Sequence, residues 1–167
     1  RDQAQMHGES HGPWYYEQLY LGFNYRMTDL QAALGLSQLS RIDKFIERRN
    51  EIATRYNYFL SDLPIVLPVV PKQAYSSFHL YIIRLKLNEI TKSHQQVFSD
   101  LREAGVGVNL HYIPVYHHPY YRDLGFKKGY CMQSEQYYRE AISIPIYYGL
   151  NSQMQEKVVD VLKQNIF

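Results

Sequence analysis

Asn24 and Arg26 stand two residues apart in the stretch Leu21 to Gly35, LGFNYRMTDLQAALG, immediately before a helical pattern. An amide and a guanidinium so placed can grip an oxyanion, because the planar guanidinium suits bidentate contact with carboxylate or phosphate and the amide adds a neutral donor. The same residues fit a structural role, with Arg26 pairing a nearby acid and Asn24 satisfying turn backbone. Short motifs match by chance often enough that spacing alone favours the structural role. Thr28 is a good N-cap, Gln31 follows three residues later as a capping box requires, and Asp29 suits the positive end of the helix dipole. The loop is therefore expected to be pinned against a rigid element.

A second group lies downstream. Asn109 and His111 alternate with Val108 and Leu110, so on a strand they share the opposite face. A strand histidine taken bare is more often a hydrogen-bonded structural residue than a catalytic one. His79 shares its face with Ile83 and Leu85 and is expected to be structural. His117 and His118, with His111, are zinc-ligand types, but no carboxylate or Cys lies at ligand spacing and adjacent residues in an extended segment point apart. No metal site is expected. His7 and His11 bracket Glu9 in an order unlike the His-Glu-x-x-His helix motif. Cys131 has no evident partner base and reads as a quiet thiol. A lysine that forms a Schiff base needs a protected pocket that lowers its pKa, whereas Lys44, Lys86, Lys92, Lys127, Lys128 and Lys157 all read as solvated.

The elements that must position these residues follow from periodicity. Leu39, Ile42, Ile46, Ala53, Tyr56 and Leu60 recur at helical spacing, which predicts one long helix from Asp29 to Leu60. Pro64, Pro68 and Pro71 break the chain into an extended connector. Phe78 to Leu87 alternates as a strand, and Thr91 to Ala104 reads as a helix with Val97, Phe98, Leu101 and Ala104 inward and Gly105 at C′. Gly107 to Tyr112 is expected to be a second strand and Ser143 to Ile146 a third. Tyr116 to Tyr138 reads as an ordered surface loop leading into a short helix around Ser134 to Arg139. Asn151 or Ser152 caps a last helix with Met154, Val158, Val161 and Leu162 inward. The expectation is a small α+β body with its sheet covered on one side, preceded by a long linking helix.

The chain has 167 residues, with 46% hydrophobic and 20% charged side chains, which suffices for a real core. A net charge of +2 with scattered cations gives no nucleic-acid footprint. No apolar run approaches a membrane span, and no signal peptide opens the sequence. The single cysteine excludes an internal disulfide and fits a reducing cytoplasm. The first residues, RDQAQMHGESHGPWYY, carry no initiator Met and no apolar period, so the chain is expected to be a fragment.

Gly22-Phe-Asn-Tyr-Arg-Met-Thr-Asp-Leu-Gln-Ala-Ala resembles the loop-helix signature of the DegT/DnrJ/EryC1/StrS nucleotide-sugar aminotransferases, which are fold-type I enzymes dependent on pyridoxal 5′-phosphate (PLP). The likeness continues in SSFHLYIIRL, GVGVNLHYIPVYHHPYYRDLGF and AISIPIYYGL, in family order. Within the family it is strongest to the branch that aminates a UDP-4-keto-6-deoxy-N-acetylhexosamine on the way to pseudaminic acid. The resemblance implies the C-terminal small domain of a fold-type I transferase over 61–167, the linking helix over 29–60, and a remnant of the large domain with the interface loop over 1–28. It implies a homodimer in which Asn24 reaches the cofactor phosphate of the neighbouring subunit, with Arg26 in the same phosphate and sugar-nucleotide region. It further implies that His111, with Asn109 and Tyr112, contacts the substrate, that L-glutamate is the usual amino donor, and that the work is cytoplasmic glycan biosynthesis. The Schiff-base lysine and the acid that pairs with the pyridinium lie upstream in the family, so this segment alone is expected not to transaminate. A stand-alone dimerisation or sugar-nucleotide-binding module is the alternative.

Overall fold

Thr28 turns the loop into helix α1, Asp29–Leu39. The Thr28 N–H donates to Gln31 Oε1 at 2.9 Å and the Gln31 N–H donates to Thr28 Oγ1 at 3.3 Å, which is the reciprocal box expected from the sequence. In the computed structural model, which describes residue 8, residues 12–23 and residues 25–166, this helix buries none of its residues. Leu30, Leu34, Leu36 and Leu39 are all exposed.

The single helix expected from Asp29 to Leu60 is instead two. Helix α2, Ile42–Phe59, starts after a break at Ser40–Arg41. Helix α1 has no buried face, so tertiary packing does not carry one helix across the break. The chain divides into two compact units at the same place, Arg1–Leu39 and Ser40–Phe167.

In the second unit, α2 buries Ile52, Ala53 and Tyr56. The sheet has three antiparallel strands in the order β1 (Ile65–Val66), β2 (Tyr81–Leu85), β3 (Ala141–Ile144). Ile65 pairs with Leu85, while Tyr81 and Ile83 of β2 pair with Ile144 and Ile142 of β3. Those paired apolar residues face one core with α2 and with Val97 and Leu101 of α3, His94–Glu103. Ser93 caps α3 in a full capping box with Gln96. Three-residue 3₁₀ turn Val115–His117, α4 (Pro119–Asp123) and α5 (Met132–Glu140) lead into β3, and α6 (Ser152–Asn165) closes the unit.

Several sequence expectations change here for identifiable reasons. The proline-broken connector contributes β1, because Ile65 and Val66, between Pro64 and Pro68, keep the N–H groups with which to pair at the sheet edge. Gly107 to Tyr112 makes only one bridge, Asn109 to Ser143. The next hydrogen-bonded pair would be His111 with Ala141, but the Ala141 N–H donates to the Tyr137 carbonyl and the Ala141 carbonyl lies 2.9 Å from His94 Nε2, so the ladder stops. The third strand begins two residues early and ends before Pro145, which has no N–H to donate. All four β3 residues are buried, so this strand is covered on both faces and not on one. On α6, Asn151 is the cap, through its side chain to Met154 N–H at 2.9 Å. Gln155 and not Met154 faces inward, its Nε2 donating to the Ile52 carbonyl at 2.8 Å.

Candidate functional site

Helix α3 ends where Gly105, at φ +79°, allows a left-handed turn. The Gly105 N–H bonds Arg102 O at 3.0 Å and the Val106 N–H bonds Leu101 O at 2.9 Å, the paired bonds of a Schellman stop. The chain then runs beside β3 with Val106 and Val108 buried. Asn109 and Ser143 exchange both backbone bonds, at 3.1 and 2.8 Å. Ile142 and Ile144 point into the core, so Ser143 points to the other face, together with Asn109 and His111. His111 Nδ1 lies 2.8 Å from Ser143 Oγ. Since Nδ1 is engaged, Nε2 is the ring nitrogen left for a ligand.

Asn109, His111 and Ser143 form one wall of an open cleft of about 590 Å³, with Lys157 at the rim and Ile146 and Val158 among its apolar residues. An apolar cleft with a few convergent polar groups is the usual form of a small-molecule site. His79, expected to be structural, also lines it at an exposed position. Tyr112 does not join this wall: it is exposed and stacks on His118, with ring centroids 5.8 Å apart. Arg26 belongs to the first unit, is exposed, and donates from Nη1 to the neighbouring Tyr25 carbonyl at 2.9 Å. Asn24 lies outside the described residues. Sequence reasoning does not single out Ser143 or Lys157. Ser143 leaves a faint signal, as the one hydroxyl in the apolar run Ala141-Ile-Ser-Ile-Pro-Ile.

A larger depression, about 660 Å³, runs along Arg122, Lys127 and Lys128 over Tyr116 and Phe126. It holds none of the residues singled out for substrate, and its cations are exposed. Beside it, Glu135 Oε1 accepts from Tyr116 Oη at 3.0 Å and lies 3.2 Å from His117 Nε2. The Gly129 N–H, seconded by His117 and Tyr116, holds the Glu135 carboxyl below its ordinary range against partial desolvation. A carboxyl whose folded pKa is depressed contributes stability above its unfolded value, and loses it as pH falls through the folded one. Acidification below the usual carboxylate range is therefore expected to loosen the α4–α5 loop first. A ¹³C titration of Glu135 should show a depressed midpoint, and Glu135→Gln should abolish the acid sensitivity of the Tyr130 and Cys131 amide signals. Among the described residues, no three His, Cys, Asp or Glu side chains gather where they could hold a metal ion. No helix there is long and apolar enough to cross a membrane.

Two solved structures match this architecture closely. Helicobacter pylori PseC, an aminotransferase involved in the biosynthesis of pseudoaminic acid, superposes with a TM-score of 0.80 at 26% identity, over 93% of this chain and 42% of its own. Spr1654 from Streptococcus pneumoniae, in its PLP form, matches with a TM-score of 0.80 at 26% identity, over 90% of this chain and 38% of its own. The fold is that of the small C-terminal domain of fold-type I PLP-dependent aminotransferases. In sequence, the UDP-4-amino-4,6-dideoxy-N-acetyl-beta-L-altrosamine transaminase of Campylobacter jejuni is 34% identical over 151 residues, which are 89% of this chain and 39% of that protein. A profile of the DegT/DnrJ/EryC1/StrS aminotransferase family matches residues 2–163. The chain belongs to that family, and it spans about two fifths of the length of the curated relatives it matches.

Proposed function

We propose that this chain is the C-terminal portion of a PLP-dependent nucleotide-sugar aminotransferase. The parent enzyme transfers an amino group from L-glutamate to a UDP-4-keto-6-deoxy-N-acetylhexosamine in cytoplasmic cell-surface glycan biosynthesis. The observation that carries this reading is a family match along nearly the whole chain, joined to a cleft whose wall is built from Asn109 and His111. Asn109 and His111 contact the sugar nucleotide there, and Tyr112 closes on it from its exposed position beside the wall.

The described residues fit a supporting part in cofactor binding. Arg26 spends one of its five N–H groups on Tyr25, which leaves a guanidinium fork suited to a phosphate. Asn24 adds its amide to the same phosphate in the neighbouring subunit. No lysine among the described residues is buried, so they do not fit the covalent anchor. PLP, when bound, supplies the carbonyl through which the amino group passes from donor to acceptor. The parent works as a homodimer, in keeping with the exposed leucines of α1, and this segment alone is inactive.

The test is glutamate-dependent amination of the UDP-4-keto sugar by the intact gene product, followed by the mass of the sugar nucleotide. Amination is expected, and His111→Ala should lower kcat/KM about tenfold to a hundredfold by removing one substrate hydrogen bond. A folded, dimeric product that never aminates would leave the non-catalytic binding module as the reading.

A further inference from the structure

We infer that Ser143 fixes the His111 ring with its proton on Nε2, so that Asn109 and His111 present N–H donors to an acceptor oxygen of the ligand and Nε2 does not act as a base. The ligand's identity in this inference rests on the proposed function, whereas the state of His111 does not.

The argument starts from the buried hydroxyl. Ser143 is 5% exposed, and its Oγ is bonded to His111 Nδ1. Two arrangements are open: Nδ1–H donates to Oγ, or the hydroxyl donates to Nδ1. In the first, the serine proton finds no protein acceptor among the described residues, and a nearly buried donor without an acceptor is costly. In the second, the hydroxyl proton is satisfied, Nδ1 serves as acceptor, and the imidazole proton must sit on Nε2. The Ser143 backbone is held opposite Asn109, with both of its groups paired.

Asn109 is oriented by the same kind of reasoning. Its Oδ1 accepts the Leu110 N–H, and since that backbone group can only donate, the atom facing it must be oxygen. The Nδ2 amide, with two donors, is therefore the end left over. Asn109, His111 and the exposed ammonium of Lys157 line the same cleft. All three offer protons. A keto, carboxylate or phosphoryl oxygen is complementary to such a group of donors.

The test reads the ring nitrogens directly, by ¹⁵N-detected long-range spectra of His111 in the intact chain near neutral pH and without substrate. The expected result is one tautomer, with Nε2 protonated and Nδ1 unprotonated, and its replacement by a mixture in Ser143→Ala. A wild-type spectrum showing the proton on Nδ1 would overturn the inference, whether or not the variant folds. In the active parent, His111→Gln keeps an amide donor near the Nε2 position but cannot take a proton. It is expected to lose less than about tenfold in kcat/KM, whereas removal of a general base costs roughly a hundredfold or more. The spectrum is obtained without turnover, so failure of the aminotransferase reading would leave the assignment of His111 standing.

Discussion

Replacing Tyr56 with alanine is expected to cost about 4 kcal/mol of folding stability, the range for deleting a fully buried aromatic side chain. Tyr56 is completely buried on α2, where its ring packs on Tyr81 with centroids 5.0 Å apart. Its hydroxyl donates to the Pro145 carbonyl at 2.9 Å, and burial pushes that hydroxyl well above the ordinary tyrosine range, so it remains a neutral donor at any working pH. Pro145 follows β3 directly and lines the cleft, so the same bond ties the core to the cleft floor. Tyr56→Phe separates the two contributions: it keeps the ring, orphans the carbonyl, and is expected to cost about 1 to 2 kcal/mol. Urea denaturation of both variants checks this. Equal losses would mean that the hydroxyl, and not the packing, dominates.

Arg49→Ala is expected to cost about 3 kcal/mol, because a half-buried charged donor is removed from several carbonyls at once. Arg49 Nη1 reaches Phe78 O at 2.9 Å, His79 O at 3.0 Å and Ile146 O at 3.3 Å. These carbonyls come from the entry to β2 and the exit from β3, and His79 and Ile146 both line the cleft. Phe78 adopts φ +43°, a left-handed conformation that a bulky residue holds only when its surroundings fix it. Ser76 Oγ accepts its N–H at 3.1 Å and Arg49 binds its carbonyl, so both sides of the strained residue are secured. Arg49→Lys should recover only part of the loss, since a single ammonium lacks the planar fork. Thermal and urea unfolding measure the loss. A variant of unchanged stability would show that the three carbonyls find water without cost.

Much of this architecture is legible in the sequence where one element carries its own evidence. The Thr28–Gln31 box, the inward face of α3 and its Gly105 stop, and the alternation of β2 all rest on residues a few positions apart. The break at Ser40–Arg41 is not legible, because apolar residues continue at helical spacing straight across it. Val106 and Val108 are buried as alternation requires, yet the ladder stops because Ala141 is already bonded by Tyr137 and His94, a competition between distant residues that periodicity does not register. The cleft wall is legible by half. Asn109 and His111 are close in sequence, but Ser143 is 32 positions away from His111 and becomes visible only when β3 is paired. Lys157 reaches the cleft from the far end of the chain, with no spacing to connect it to the strand.

The most direct measurement is borohydride reduction of the native gene product followed by peptide mass mapping. The account predicts a polypeptide long enough to match its relatives over their full length, with a phosphopyridoxyl group fixed on one lysine that precedes these 167 residues. A label on Lys44, Lys157 or any other lysine of this chain, or a native product that takes no label at all, would contradict it.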